Sequence, residues 1–127
     1  MKALIITSRI LLGLIFTVFG LNGFLHFIPM PPPSGAAGQF FGAMFVSHYI
    51  FAVLVLEITA GVLLLVNRFA LVALVILGPI LVNIALFHIT MSPHGYAAAV
   101  IAIATWSVLF YRERAAFADL FSAKGVS

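Results

Sequence analysis

Long apolar stretches fill residues 4–28, 46–66, 69–90 and 95–111, and most polar residues gather between them. None of the four alternates apolar with polar at period two, so a β-barrel is not expected. A helix needs about 20 apolar residues to cross the hydrocarbon core of a bilayer. The pattern therefore predicts an all-α, four-transmembrane-helix bundle, one membrane domain covering residues 1–127. The first stretch stops at PMPPP, residues 29–33, because proline removes donors and clashes with the preceding turn. The last stretch is the shortest and is expected to borrow a turn at one end. The opening MKALIITSRILLGLIF looks like a signal peptide at first sight. Its apolar run is too long, Arg9 interrupts it and no clean small-x-small site follows, so it reads as a retained first helix.

Two shorter pieces complete the pattern. In residues 34–45 Ser34 can cap a short helix, and Phe40, Phe41, Met44 and Phe45 give it an apolar face. That helix is expected to lie on the outer membrane surface. The tail, residues 112–127, is amphipathic, with Phe117, Leu120 and Phe121 on one side, and is expected to rest on the cytoplasmic surface.

Positive charge orients the bundle. Lys2 and Arg9 flank the start of the first stretch, Arg68 sits in the turn after the second, and Arg112, Arg114 and Lys124 follow the fourth. The other two connections carry no Lys or Arg, so the positive-inside rule puts both termini in the cytoplasm. This implies a multi-pass membrane protein, with the lipid bilayer as first partner.

Composition agrees and narrows the function. The chain is 65% hydrophobic and 7% charged, against roughly 25% charged in soluble domains. It has no cysteine, which excludes a disulfide, a CxxC pair, thiolate metal ligation and a cysteine nucleophile. A net charge of +3, scattered along the chain, does not suggest nucleic-acid binding. No Gly-rich phosphate loop or Ser-His-Asp pattern is present.

Glu57 is the one carboxylate before residue 113, and it lies midway along FAVLVLEITAGVLLLV, residues 51–66. A charge at membrane depth costs at least ~2.5 kcal/mol, so an intramembrane acid points to function. Ala60 and Gly61, at +3 and +4, mark the side on which membrane helices approach closely, so Glu57 is expected to face inward. As a neutral acid it could donate a hydrogen bond or carry a proton. The plain alternative is a buried pair with Arg9, which on its own reads as a snorkelling anchor.

The remaining polar residues fall toward the outer side. Asn22 and Asn83 lie about 9–10 Å below it at ~1.5 Å per residue. His26 and His88 are within a turn of it, and His48 and His94 are at the boundary. This predicts an outward-facing polar cavity with Glu57 at its floor. Asn22 and His26, at i and i+4, share a helix face, whereas Asn83 and His88 diverge by about 140°. Asn22 also lies about 140° from Arg9. Both asparagines read equally well as interhelical glue. The histidines allow haem ligation, a divalent metal, or hydrogen bonds to a quinone or other lipid-phase ligand. No HxxxH or HExxH spacing exists, so no metal site is assigned. His48 and His94 read as interfacial histidines, and Tyr49, Tyr96, Tyr111 and Trp106 as an aromatic belt.

FLHFIPMPP (residues 24–32) and LFHITMSP (residues 86–93) form a weak internal repeat at two outer helix ends. RILLGLIFTVFGLNGFLHFIPMPPP (9–33), VLEITAGVLLLVNRF (55–69) and GPILVNIALFHITMSPHG (78–95), in that order, resemble the DoxX-like family of small four-helix bacterial membrane proteins. The family-like positions are Arg9, Gly20, Asn22, His26, Glu57, Gly61, Asn83, His88 and Pro93. The resemblance implies a quinone-linked membrane component that anchors or serves a redox partner, as in a thiosulfate:quinone oxidoreductase. Without cysteine, thiol chemistry by this chain is not expected.

The expectation is thus a quinone-associated redox membrane subunit. Glu57 would handle a proton, and Asn22, His26, Asn83 and His88 would orient the ligand. The alternatives are a binding or transport protein for a small amphiphile or lipid, and a scaffold held by an Arg9–Glu57 pair. So small a bundle would enclose a larger cavity by self-association, which makes a homo-oligomer a second partner class.

Overall fold

The computed structural model describes residues 1–126, and among them all regular structure is helical. Six helices follow one another: α1 (Lys2–Leu25), α2 (Gly35–Val46), α3 (Tyr49–Leu65), α4 (Ala70–Thr90), α5 (Ala97–Arg112) and α6 (Arg114–Leu120). Each apolar stretch becomes a helix, and PMPPP stays extended between α1 and α2. α1 and α4 are long and apolar enough to cross a membrane, and α2 with α3 would qualify as one broken span, bent by 89°. That gives two or three candidate spans against the four expected. At 17 and 16 residues, α3 and α5 rise only about 24–26 Å, short of the ~30 Å hydrocarbon core. α5 gains length from α6, which follows after a single non-helical residue, Glu113.

α1 packs on α3 and α5, and α4 packs on the same two, so the four long helices form a ring. Neighbours run antiparallel. Gly13 meets Gly61 and Leu65, Gly20 meets Ile58, and Gly23 meets Leu54, so residue numbers rise on α1 as they fall on α3. The absence of a side chain at these positions lets the two backbones nearly touch. The turn between α3 and α4 is closed by a Schellman cap. Asn67 takes the left-handed conformation (φ 56°), and Arg68 N–H and Asn67 N–H donate to the Leu63 and Leu64 carbonyls. Asparagine is the non-glycine residue best able to hold that backbone.

The packed core is off-centre. Leu12, Phe16, Ala60, Leu64, Leu74, Leu77 and Leu109 are buried together in the half that carries the Lys and Arg residues. Toward the histidine end the Ile58 and Leu54 side chains occupy the room that Gly20 and Gly23 leave, and Ile50, Leu54 and Asn22 are buried.

Two expected placements are corrected here. Phe117 is not laid on a surface with Leu120 and Phe121. It is buried against Phe110, ring centres 4.8 Å apart, while Leu120 and Phe121 stay exposed. Its Cα lies just beyond the α5–α6 break, which turns the ring back onto the bundle. Nor is Trp106 part of a belt. It stacks on Phe110 at 5.1 Å, and its indole N–H donates to the Leu74 carbonyl at 3.0 Å, clamping α5 to α4. Trp106→Phe keeps the stack and loses the bond, with an expected loss of about 0.5–1.5 kcal/mol in a detergent melt.

Candidate functional site

Antiparallel packing sorts the polar residues by end. Lys2, Arg68, Arg112, Arg114 and Lys124 gather where α1 begins and α5 ends, and the Arg9 side chain reaches the same end. His26, His48, His88 and His94 lie at the other end, beside α2.

Glu57 sits on the inward seam of α3. Ile50, Leu54, Gly61 and Leu64 are buried, and Glu57 falls between them in the repeating 4-3-4-3 spacing. Its side chain is nonetheless only half-buried, because it stands at the upper edge of the packed core. Among the described residues no opposite charge and no hydrogen-bond donor stands beside its carboxyl. Eight residues back from Leu65 is Glu57, and eight on from Ala70 is Gly78, so a glycine lies level with it on α4. Side chains lean toward the N-terminus of their helix, which directs this carboxyl to the histidine end.

Arg9 leans the opposite way. Its guanidinium donates to the carbonyls of Leu64 and Leu65, at 2.5 and 3.2 Å. Both lie at the end of α3, where Leu64 also accepts from Asn67 N–H and a cation meets the negative end of the helix dipole. Leu64 is seven residues from Glu57, about 10 Å along the axis. The structure therefore contains no Arg9–Glu57 pair. Arg9→Met should cost about 1.5–3 kcal/mol in a detergent melt, as for hydrogen bonds to a charged group. Combined with Glu57→Gln the loss should be additive within about 0.5 kcal/mol, as for sites without a shared partner.

Asn22 is buried, and its side chain is taken up by the chain itself. Ile28 N–H donates to Asn22 Oδ1 at 2.7 Å, and Asn22 Nδ2 donates back to the Ile28 carbonyl at 3.4 Å. This double contact folds residues 26–28 over the end of α1. Asn22→Ala would strand the Ile28 N–H, at an expected cost of about 1–3 kcal/mol. Melting of the variant, with Asn22→Asp as the form that keeps the acceptor, measures this.

Asn83 lies on the exposed face of α4 and donates to its own Pro79 carbonyl at 2.9 Å. It does not share a surface with Asn22 or Glu57. Exposed Thr59, Thr90 and Ser107 behave alike, each bonding the carbonyl four residues back at 2.7–2.8 Å. Outward polar groups that satisfy themselves on their own helix suit an apolar surrounding.

The histidines meet an aromatic cluster instead of one another. His26 ends α1 in the left-handed conformation, its ring 6.4 Å from Phe45. His48 turns the α2–α3 corner, also left-handed, with its ring 5.7 Å from Phe51. His88 Nδ1 is 3.1 Å from the Ser92 carbonyl. α2 lies against this end through Phe40 and Phe41 on Phe87 and Phe45 on Phe51, while Phe24 stacks on Phe51 at 5.2 Å. Among the described residues no group of three histidine or acidic side chains could hold a metal.

Two open concavities lie at the basic end, and neither is lined by Glu57 or the histidines. One residue had no sequence signal. Thr17 Oγ1 is fully buried without a hydrogen-bond partner, beside Gly61. A threonine in an apolar helix normally bonds its own backbone, so only the tight α1–α3 crossing singles it out. Comparison with protein-family models, with curated proteins and with solved structures yields no match.

Proposed function

We propose that the chain is an integral protein of a bacterial inner membrane. Its α1, α3, α4 and α5 cross the bilayer, both termini are cytoplasmic, and it binds a quinone for a redox partner. The resemblance to DoxX-like proteins over residues 9–33, 55–69 and 78–95 is the origin of the quinone expectation. The observation that carries it is Glu57: an acid on the inward seam of an apolar helix, leaning toward an aromatic end, with nothing beside it to neutralise it.

Quinone reduction takes up two electrons and two protons. The partner protein would supply the electrons, and Glu57 would pass the two protons in turn, one to each quinone oxygen, being reprotonated from the outer side after each transfer. The Phe24, Phe45 and Phe51 rings offer flat apolar faces to a quinone ring, and His26 stands at the same end as a donor, while His88 already turns Nδ1 to the Ser92 carbonyl. Asn22, engaged with Ile28, would fix the segment that closes this end of α1, and Asn83, bonded to its own Pro79 carbonyl on the outer face, would stand outside the site. The Arg9–Glu57 pair that the scaffold reading assumed is absent, since Arg9 is bonded to the α3 carbonyls.

The test is mass spectrometry of the organic extract of gently purified protein. Near-stoichiometric quinone is expected. An extract with phospholipid or another amphiphile and no quinone would favour the binding-or-transport alternative, and an extract with neither would count against any lipid-phase ligand.

A further inference from the structure

At the basic end a groove of about 510 Å3 opens between the start of α1 and the end of α5. Leu4, Ile5 and Val108 form its apolar wall, and Tyr111, Arg112 and Arg114 stand along its other side. Ser107 also lines it, but its hydroxyl is spent on the Ile103 carbonyl. Arg114 donates to the Tyr111 carbonyl at 2.8 Å, and its guanidinium carbon lies 4.2 Å from the centre of the Tyr111 ring. That fixes the guanidinium while leaving further N–H groups to donate. Arg112 is exposed, and no carboxylate lines the groove; Glu113, between the two arginines in sequence, is not on its wall.

An apolar wall that ends at two arginines is complementary to a long apolar tail with an anionic head. We propose that this groove binds an anionic phospholipid of the cytoplasmic leaflet. The phosphate sits on Arg112 and Arg114, and an acyl chain lies along Leu4, Ile5 and Val108. Guanidinium forks match phosphate oxygens in pairs, and basic pockets between membrane helices on the cytoplasmic side suit such head groups. The second concavity, about 290 Å3 between α4 and α6, is lined by Leu71, Val75, Phe117 and other apolar residues alone, so nothing there selects a head group. The proposal rests on the membrane orientation given above and is independent of the quinone.

The experiment starts from protein recovered from the membrane fraction. It is placed in mixed micelles of phosphatidylglycerol and phosphatidylcholine in equal amounts, and bound lipid is counted by native mass spectrometry. Wild type should favour phosphatidylglycerol by about tenfold, in line with two basic groups at a membrane surface. Arg112→Gln with Arg114→Gln should bring the two lipids to near parity. Arg68→Gln, a charge lost at the same end but outside the groove, should keep the preference. Val108→Trp, which fills the apolar wall and leaves the charges, should lower phosphatidylglycerol binding. No preference in wild type, or an equal loss in Arg68→Gln, would overturn the lipid site alone. Protein absent from the membrane fraction would overturn the orientation as well.

Discussion

Replacing Gly61 with alanine should destabilise the bundle more than any other single methyl group added to these helices. A Cβ at Gly61 would lie 2.5 Å from Thr17 Oγ1, 2.7 Å from Thr17 N and 2.8 Å from the Gly13 carbonyl oxygen. Two of those atoms are backbone, so no rotamer change relieves the contact and α1 must move away from α3. Overpacking of this kind costs about 1–3 kcal/mol, and here the upper part of that range is expected because two whole helices shift. Thr17→Ala should not rescue the variant, since it removes only the hydroxyl. At Gly20 and Gly23 the nearest atoms belong to the side chains of Ile58 and Leu54, which can turn, so alanine there should cost less. Gly42→Ala is the opposite case. Nothing lies within 4 Å of its added Cβ, and the gain in helix propensity should stabilise α2 by about 0.5–1 kcal/mol. Thermal melts of the four variants in one detergent check the order; a Gly61→Ala melt equal to wild type would mean that α1 and α3 do not cross there.

Glu57→Gln is the second large effect, and its signature is functional. With no ion pair and no hydrogen bond to lose, the amide should leave the melt within about 0.5 kcal/mol of wild type, as for a substitution that breaks no named interaction. It keeps the shape of the acid and cannot carry a proton. On the proposed function, quinone-linked turnover should fall by about 100-fold or more, the scale of a lost general acid–base group. Glu57→Asp keeps the acid one methylene further back and should recover part of the rate. A Glu57→Gln protein that turns over normally would remove Glu57 from the chemistry. A variant that instead unfolds would show that the acid is structural.

Much of the architecture was readable from pattern alone. Apolar run length and the PMPPP break locate α1, α3, α4 and α5 to within a few residues, and Ser34 with its phenylalanines locates α2. The inward direction of Glu57 was readable from Ala60 and Gly61, because small residues mark where helices meet. Partners were not readable. Arg9 bonds carbonyls, and every residue carries a carbonyl, so composition has no way to announce that contact. Asn22 serves Ile28 for the same reason. Asn83 was expected to look inward because it is polar, yet a side chain able to bond its own helix can face outward at little cost. Trp106 and Phe117 read as surface residues because the partners that bury them, the Leu74 carbonyl and the Phe110 ring, are fixed only by how the helices pack.

The most direct test of the central claim is an infrared difference spectrum of the quinone-loaded protein, oxidised minus reduced, for wild type and Glu57→Gln. The account predicts a carboxyl C=O band that changes with quinone redox state in wild type and is missing from the variant. The same spectrum from both proteins would contradict it, because the quinone would then exchange its proton with some group other than Glu57.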